Sequence, residues 1–204
     1  MIGAAWRQLS IFRRAAALGG AWILVLGQAS AQNAYPPTVS GRAPGEIGSV
    51  ETRVYFTPWD DAEGAIMRTI RAAKTQILVQ AYSFTSGAIA GELINARKRG
   101  IDVRITADQE QTERISTSRI PDLARAGIPV WIETRYQSAH NKTMVIDAGQ
   151  AFPVVITGSY NWTVAAQRRN SENVLILSGA ADLARAYKVN WERHQGDALP
   201  YVLR

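Results

Sequence analysis

Two short polar clusters in the second half of the chain combine side chains that are used in phosphate chemistry. The first is His140-Asn141-Lys142, and the second contains Ser159 and Asn161. An imidazole can act as a nucleophile or a proton donor, and an ammonium group neutralises a phosphate oxygen. His140 and Lys142 are two residues apart at the start of an expected strand, so their side chains leave the same face of it. The spacing therefore suits a site that holds and attacks an anion.

Ser159, Asn161 and Glu172 extend this candidate site. Ser159 and Asn161 are also two residues apart, at the end of the next expected strand. If the two strands form a hairpin, a hydroxyl and an amide donor lie beside His140 and Lys142. Glu172, in the following strand, could accept a hydrogen bond from the other imidazole nitrogen and orient the ring. Each residue alone also fits a turn or an exposed strand, but the order and spacing of the whole set favour a site.

Alternating strand-like and helix-like segments must position these side chains. Such alternation predicts an α/β fold with a mixed β-sheet flanked by helices on both faces, in which the strands after His140 and before Ser159 form a hairpin. Strands are predicted at 50–56, 76–84, 102–107, 129–133, 142–147, 154–157 and 172–177. Helices are predicted from Asp60 or Asp61 to Lys74, and over 86–99, 120–126 and 181–194.

The first 31 residues have the three parts of a secretory signal. Arg7, Arg13 and Arg14 precede an apolar run at 15–27, and Ala29-Ser30-Ala31 forms a small-x-small cleavage site. The apolar run is shorter than the ~20 residues that a membrane span takes. We therefore expect an exported, periplasmic or secreted protein that begins at Gln32 and has no stable membrane insertion; an uncleaved anchor is the alternative.

The remainder of the chain divides into an arm and one domain. Residues 32–48 are rich in Pro, Gly, Ser and Ala without a helical or strand period, so we expect a flexible arm before a single domain at 49–204. The sequence contains no cysteine, which excludes disulfides and thiolate chemistry. Removing Arg7, Arg13 and Arg14 from the 23 basic residues leaves 20 against 17 acidic ones. This weakly basic balance is compatible with a phosphate-rich partner.

The polar clusters together resemble the motif of the phospholipase D superfamily. His140, Lys142 and Asp147 follow the pattern His-x-Lys-x-x-x-x-Asp, and Gly158-Ser159 with Asn161 follows its second part. The likeness is greatest to the small secreted bacterial endonucleases that carry one such motif in each chain. It implies a phospholipase D-like fold for 49–204. Ten residues separate Asp147 from Gly158, where the pattern has six, and this difference leaves open the local shape beside the substrate channel.

The resemblance implies hydrolysis through a phosphohistidine. One histidine attacks phosphorus, and a second protonates the leaving alcohol. The sequence contains two histidines, His140 and His194, and only His140 lies in a motif, so we expect a homodimer that shares one active site. Lys142 and Asn161 would supply the charge and donors, with no metal and no cofactor. Asp147 and Gly158 are assigned structural roles.

The substrate class remains open at this stage. A phosphodiesterase acting as a non-specific endonuclease on DNA or RNA is one hypothesis, and four residues are candidate nucleic-acid contacts: Tyr136, Trp162, Arg168 and Arg169. A phospholipase D acting on lipid head groups is the second hypothesis. It predicts an apolar rim or a membrane-binding face, and the sequence has no amphipathic stretch of that kind. A non-catalytic phosphate-binding module is the third hypothesis. It does not explain why every catalytic position of the superfamily motif is filled.

Overall fold

The computed structural model describes residues 38–41, for the backbone only, and residues 50–203. The secretory signal expected at 1–31 and the cleavage point before Gln32 lie outside the described residues. So does most of the arm expected at 32–48. Across the described part of the chain, no helix has both the length and the apolar character that crossing a bilayer requires.

Within the described residues, nine strands form one mixed sheet in the order β1-β2-β8-β7-β6-β3-β4-β5-β9. Strands β3, β4 and β5 run parallel, and the other neighbouring pairs are antiparallel. The expected mixed sheet, with a β6–β7 hairpin, is therefore confirmed. The strands are β1 (Thr38–Gly41), β2 (Val50–Thr57), β3 (Gln76–Ala81), β4 (Asp102–Asp108), β5 (Val130–Glu133), β6 (Lys142–Ile146), β7 (Val154–Gly158), β8 (Glu172–Ser178) and β9 (Leu199–Pro200).

Helices cover both faces of the sheet, as the sequence predicted. Asp61 caps the first by accepting a hydrogen bond from the backbone N–H of Gly64, and Ser86 caps the second through the N–H of Ile89. The helices of the described residues are α1 (Ala62–Ala72), α2 (Gly87–Lys98), α3 (Gln109–Glu113), α4 (Ile120–Arg125), α5 (Val164–Arg168) and α6 (Ala181–Asp197).

The central strands are buried on both faces, and their side chains divide between two core layers. Alternate residues such as Val79 and Met144 pack in the layer that contains residues of α1 and α2. Leu78 and Val145 point the other way and pack against α6, where Trp191 donates its indole N–H to a β3 carbonyl at 2.9 Å. This period of two fixes which face each strand residue occupies.

The polar clusters meet where several strands end together. The carboxyl ends of β2, β3 and β7 lie beside the amino ends of β6 and β8, because β6 and β8 run antiparallel to those neighbours. In register, Thr57 pairs with Glu172, and Ala81 pairs with Lys142. We call this end of the sheet, defined by Thr57, Ala81, Lys142, Gly158 and Glu172, the site rim.

Four features differ from the sequence predictions. The strand predicted at 76–84 ends at Ala81, after which Phe84 forms an isolated bridge with Trp162. The short helices α3 and α5 were missed because five residues are too few to show a helical period. The strand β9 was missed because two residues are too few to show the alternation of a strand. Strand β1 lies in the arm that was expected to lack structure; it pairs with β2 through backbone groups, which leave no side-chain pattern to detect.

Candidate active site

The segment before β6 holds His140 at the site rim. The backbone N–H of Ala139 donates to Oδ2 of Asp108 at 2.9 Å. Lys142 Nζ donates to the carbonyl oxygen of His140 at 2.7 Å. The imidazole itself is exposed, and no hydrogen bond joins it to another described residue. The backbone is therefore fixed while the ring remains accessible to a substrate.

Tyr82, just beyond the end of β3, contacts both motif residues. Its ring lies 4.4 Å from the imidazole of His140 between centroids, tilted by 58°, and Lys142 Nζ lies 4.7 Å from its centroid. Its backbone N–H donates to the carbonyl of Asn141 at 3.1 Å, and its hydroxyl accepts from Gln111 at 3.3 Å. The sequence motifs gave Tyr82 no role, because only the tertiary structure brings the ring against His140.

Lys142 is buried and donates to the backbone of His140. Its residue is 6% exposed, and burial lowers the pKa of the ammonium, while the nearby carboxylates of Glu172 and Asp108 act in the opposite direction. One of its three N–H donors is used by the His140 carbonyl. The remaining donors can bind the oxygen of an anion that approaches His140.

Gly158 ends β7 and directs the chain to Ser159. Its φ is +152°, and a Cβ atom there would lie 2.2 Å from the carbonyl oxygen of Asn173, so a larger residue cannot fit without moving the backbone. Exposed Ser159 accepts a hydrogen bond from the backbone N–H of Asn173 at 3.1 Å through Oγ. Because Oγ acts as the acceptor there, the hydroxyl proton remains available to a substrate oxygen.

Asn161 lies in the loop after β7. Its Oδ1 is buried without a hydrogen-bond partner among the described residues, and its carbonyl accepts from Thr163 at 2.6 Å. This oxygen can accept a further hydrogen bond, and the NH₂ group of the same amide is the donor that could bind a phosphate oxygen. Since β7 ends at Gly158, strand alternation does not set the directions of Ser159 and Asn161, as the sequence interpretation assumed. The turn at Gly158 sets them.

Glu172 does not form the expected hydrogen bond with the imidazole of His140 in the same chain. Its carboxylate accepts from the side-chain amide of Asn170 at 2.9 Å. The physical reason is the strand order, because β7 lies between β8 and β6. Two strand spacings amount to about 10 Å. Burial lowers the pKa of Lys142, and the charge of Glu172 in the same chain offsets part of that effect.

Asp147 follows β6 at the end remote from His140. Its carboxylate accepts hydrogen bonds at 2.7–2.9 Å from the backbone N–H groups of Lys74, Thr75 and Gln76 and from the hydroxyl of Thr75. These bonds hold the start of β3 against the end of β6 and support the structural role proposed for Asp147. They also keep the pKa of this carboxyl below its ordinary value, against the effect of burial.

The prolonged connection between Asp147 and Gly158 also lies at this remote end. Residues 148–153 join the end of β6 to the start of β7, whereas Lys142 and Gly158 occupy the other ends of these strands. The sequence left open an effect on the substrate channel. The structure places the additional residues at the opposite end of the sheet from the site rim.

Replacing Asp147 with asparagine is expected to lower the free energy of unfolding by about 3 kcal/mol at neutral pH, because a charged acceptor of four hydrogen bonds is removed. The folded-state pKa lies below the unfolded one, so the carboxylate stabilises the fold above the unfolded pKa and loses that effect as pH falls through the folded pKa. The difference between wild type and variant should therefore shrink below about pH 4.

Urea unfolding across pH 3–8 measures this difference. Asp182→Asn is the matched control, since Asp182 is exposed and Arg185 is its one ion-pair partner among the described residues. It should change stability by less than about 0.5 kcal/mol. An Asp147→Asn chain as stable as the control at pH 7 would contradict the structural role.

The candidate nucleic-acid contacts occupy different environments. Trp162 is 1% exposed and donates its indole N–H to the carbonyl of Gln80 at 3.0 Å, so its assignment as a substrate contact is wrong. The loop after Gly158 turns inward and places this ring in the core. Tyr136 is 44% exposed, with its ring 5.4 Å from that of His194. Arg168 and Arg169 are exposed at the end of α5.

The second histidine is already engaged elsewhere. His194 Nδ1 lies 2.7 Å from Oε2 of Glu133, which is buried. The pair links the end of α6 to the end of β5 and leaves His140 as the accessible imidazole of the motif. Among the described residues, no group of three or more His, Cys, Asp or Glu side chains could hold a metal ion.

Comparison with known proteins places this geometry in a family. Residues 66–194 match the family model described as "Cardiolipin synthase, PLD-like domain". A protein of Rickettsia prowazekii named "Phospholipase D" is 37% identical over 146 residues, which are 72% of this chain and 68% of the relative. The chain belongs to the phospholipase D superfamily. "Mitochondrial cardiolipin hydrolase" of Xenopus tropicalis is another relative of this superfamily member, 30% identical over 66% of this chain and 61% of the relative.

Solved structures of other proteins have the same fold. Nuc from Salmonella typhimurium, described as a phospholipase D family member, matches with a TM-score of 0.70 and 30% identity over 74% of this chain and 98% of its own. NucT from Helicobacter pylori shares the fold with a TM-score of 0.67 at 22% identity. The phospholipase D-like fold is thus confirmed, and the chain is a phosphodiester hydrolase of this superfamily.

Proposed function

We propose that two copies of this chain form one metal-independent active site that cleaves phosphodiester bonds of nucleic acid, with low sequence preference, through a phosphohistidine. The observation that carries the proposal is the exposed imidazole of His140, which shares the Tyr82 ring with the buried ammonium of Lys142. An accessible nucleophile beside a cation matches the needs of attack on a phosphate.

The two chemical steps need two imidazoles. In the first, a ring nitrogen of His140 bonds to phosphorus, the P–O bond to the leaving alcohol breaks, and a second imidazolium gives that alcohol its proton. In the second step, the second imidazole takes a proton from water, whose oxygen bonds to phosphorus and releases His140. Lys142 and Asn161 neutralise and bind the phosphate oxygens, which is the charge stabilisation that a metal supplies in other phosphodiesterases.

A second copy of the chain supplies the second imidazole. His194 is paired with Glu133, which supports His140 as the histidine that each chain contributes. Glu172 lies two strands from His140 of its own chain, and a two-fold axis at the site rim would bring it toward His140 of the partner subunit. This arrangement would give each imidazole the orienting carboxylate that it lacks within one chain.

The surroundings of the site support nucleic acid as the substrate. Arg168 and Arg169 are exposed near the rim, and neither guanidinium has an acidic partner among the described residues. The expected signal at 1–31 would place the enzyme in the periplasm or outside the cell. The names of the relatives support a second candidate, hydrolysis of phospholipid head groups by the same chemistry.

A substrate panel in excess chelator tests both candidates. The purified chain is incubated with single-stranded DNA, duplex DNA, RNA, and vesicles containing phosphatidylcholine or cardiolipin. We expect cleavage of nucleic acid at the same rate with and without chelator, since protein side chains provide the positive charge. Cleavage of lipid alone would establish the phospholipase instead. Activity that disappears in chelator and returns with a divalent metal would contradict the metal-independent mechanism.

A further inference from the structure

We propose that Trp59, together with Arg168 and Arg169, forms a subsite that binds single-stranded nucleic acid by stacking a base beside the active site. Trp59 is 81% exposed, and Phe56, near the end of β2, is 48% exposed. A tryptophan ring this accessible offers a large flat face on which a base can stack. The inference rests on the proposed nuclease function and specifies which form of the substrate the site accepts.

The turn that carries Trp59 is held firmly. Its two ends are joined by hydrogen bonds from the N–H of Phe56 to Oδ2 of Asp60 at 2.7 Å and from the N–H of Asp60 to the carbonyl of Phe56 at 2.9 Å. Gln167 of α5 donates to the Asp60 carbonyl at 2.9 Å and accepts from the N–H of Glu63 at 2.8 Å. The exposed ring therefore projects from a fixed support, which reduces the entropy cost when a base stacks on it.

The same contacts hold the segment that carries the two arginines against the turn that carries Trp59. Gln167, which binds Asp60, directly precedes Arg168 and Arg169, and Asp60 directly follows Trp59. An exposed ring and two exposed arginines on neighbouring segments can together bind a base and its neighbouring phosphates. This combination is the charge complementarity that identifies a nucleic-acid strand as the occupant.

The subsite lies along the rim from the catalytic groups. Thr57, two residues before Trp59, pairs with Glu172 and donates its hydroxyl to the carbonyl of Asn170 at 3.2 Å. Three strand spacings separate β2 from β6, or about 14 Å. The base on Trp59 would therefore belong to a nucleotide that is a short distance along the strand from the cleaved phosphate.

Single strands fit this subsite better than duplexes or bilayers. A base can stack on a protein ring only when it is not already stacked inside a duplex. A bilayer surface would press against the whole turn and would have to desolvate Asp60 and the exposed Asp61. A strand needs only the ring face and the arginines.

The test measures binding with chains that cannot turn over. In the full-length chain carrying His140→Asn, fluorescence anisotropy gives the Kd for a labelled oligothymidylate and for a duplex of the same length. Adding Trp59→Ala should raise the single-strand Kd between about fivefold and a hundredfold. Trp59→Phe should restore most of the affinity, and the duplex Kd should stay within twofold. Arg168→Ala with Arg169→Ala should lower the salt dependence by about 0.7 for each phosphate that the guanidinium groups no longer neutralise.

Phe152→Ala is the matched control for removal of an exposed aromatic ring. Phe152 is 70% exposed in the β6–β7 connection at the opposite end of the sheet, so its removal should leave both Kd values unchanged. An unchanged single-strand Kd for Trp59→Ala would overturn the inference. So would a Trp59→Ala chain that no longer dimerises in light scattering, or one in which only binding to anionic vesicles is weakened.

The substrate panel separates failure of this inference from failure of the proposed function. A wild-type chain that cleaves no nucleic acid would remove both. A chain that cleaves nucleic acid, but binds single strands equally well with tryptophan or alanine at position 59, would remove this inference alone.

Discussion

Turnover of every phosphodiester substrate is expected to fall by more than about 10⁴-fold when His140 is replaced by asparagine. The ring forms the covalent bond to phosphorus, and no neighbour can replace it, because Lys142 is buried and donates to the His140 carbonyl. The fold should persist, since the imidazole is exposed and makes no hydrogen bond to a described residue. Initial rates and urea unfolding measure the two effects separately.

His194→Asn is the matched control, because it removes the other histidine of the chain. We expect a lower free energy of unfolding, since Glu133 loses its partner, while turnover at 25 °C remains within a few-fold of wild type. If His140→Asn kept a tenth of wild-type turnover, or if His194→Asn reduced turnover as much as His140→Asn, the assignment of the nucleophile would be wrong.

Mixed dimers extend this prediction to the shared site. Once wild-type and His140→Asn chains have exchanged, each mixed dimer has one competent imidazole, whereas the reaction needs two. Activity should therefore fall as the square of the wild-type fraction. A linear fall, or an active monomer in light scattering, would show that each chain works alone.

Replacing Lys142 with methionine is expected to lower kcat/KM by about 10²- to 10³-fold, the usual effect of removing one preorganised charge at a transition state. Methionine fills the buried space beside Tyr82 without an ammonium group, so packing is largely kept. Arginine should fail to rescue, because its planar guanidinium is larger and its geometry differs. Lys98→Met, at the exposed end of α2, should leave kcat/KM unchanged.

The pH dependence of kcat/KM is a second test of the role of Lys142. Burial lowers the pKa of Lys142 from its ordinary value of 10.5, and the charged form is the one that binds phosphate. Wild-type kcat/KM should thus decline at alkaline pH, as pH rises through a pKa below 10.5, and the methionine variant should lack this decline. A variant that kept both the wild-type rate and the alkaline limb would exclude Lys142 from the site.

The sequence by itself determined the fold class and the candidate catalytic residues. Strand and helix periods extend over enough residues in β2, β4 and α2 to be recognised locally. The motif from His140 to Asn161 is recognised by its residue types and their spacing, so it too can be identified without the tertiary structure. Asp61 and Ser86 indicated the helix starts because capping uses the residue immediately before the helix.

Only the tertiary structure decided which side chains meet. Trp162 is a core residue and Trp59 an exposed one, although both lie in short loops near the motif or the site rim. Strand order, which no local pattern encodes, separates Glu172 from His140. It also brings the Tyr82 ring against the imidazole of His140. Burial and strand order depend on contacts between segments that are far apart in the chain, so the sequence pattern does not reveal them. Motifs and periods depend on residues that are close together in the chain, so they can be recognised without the tertiary structure.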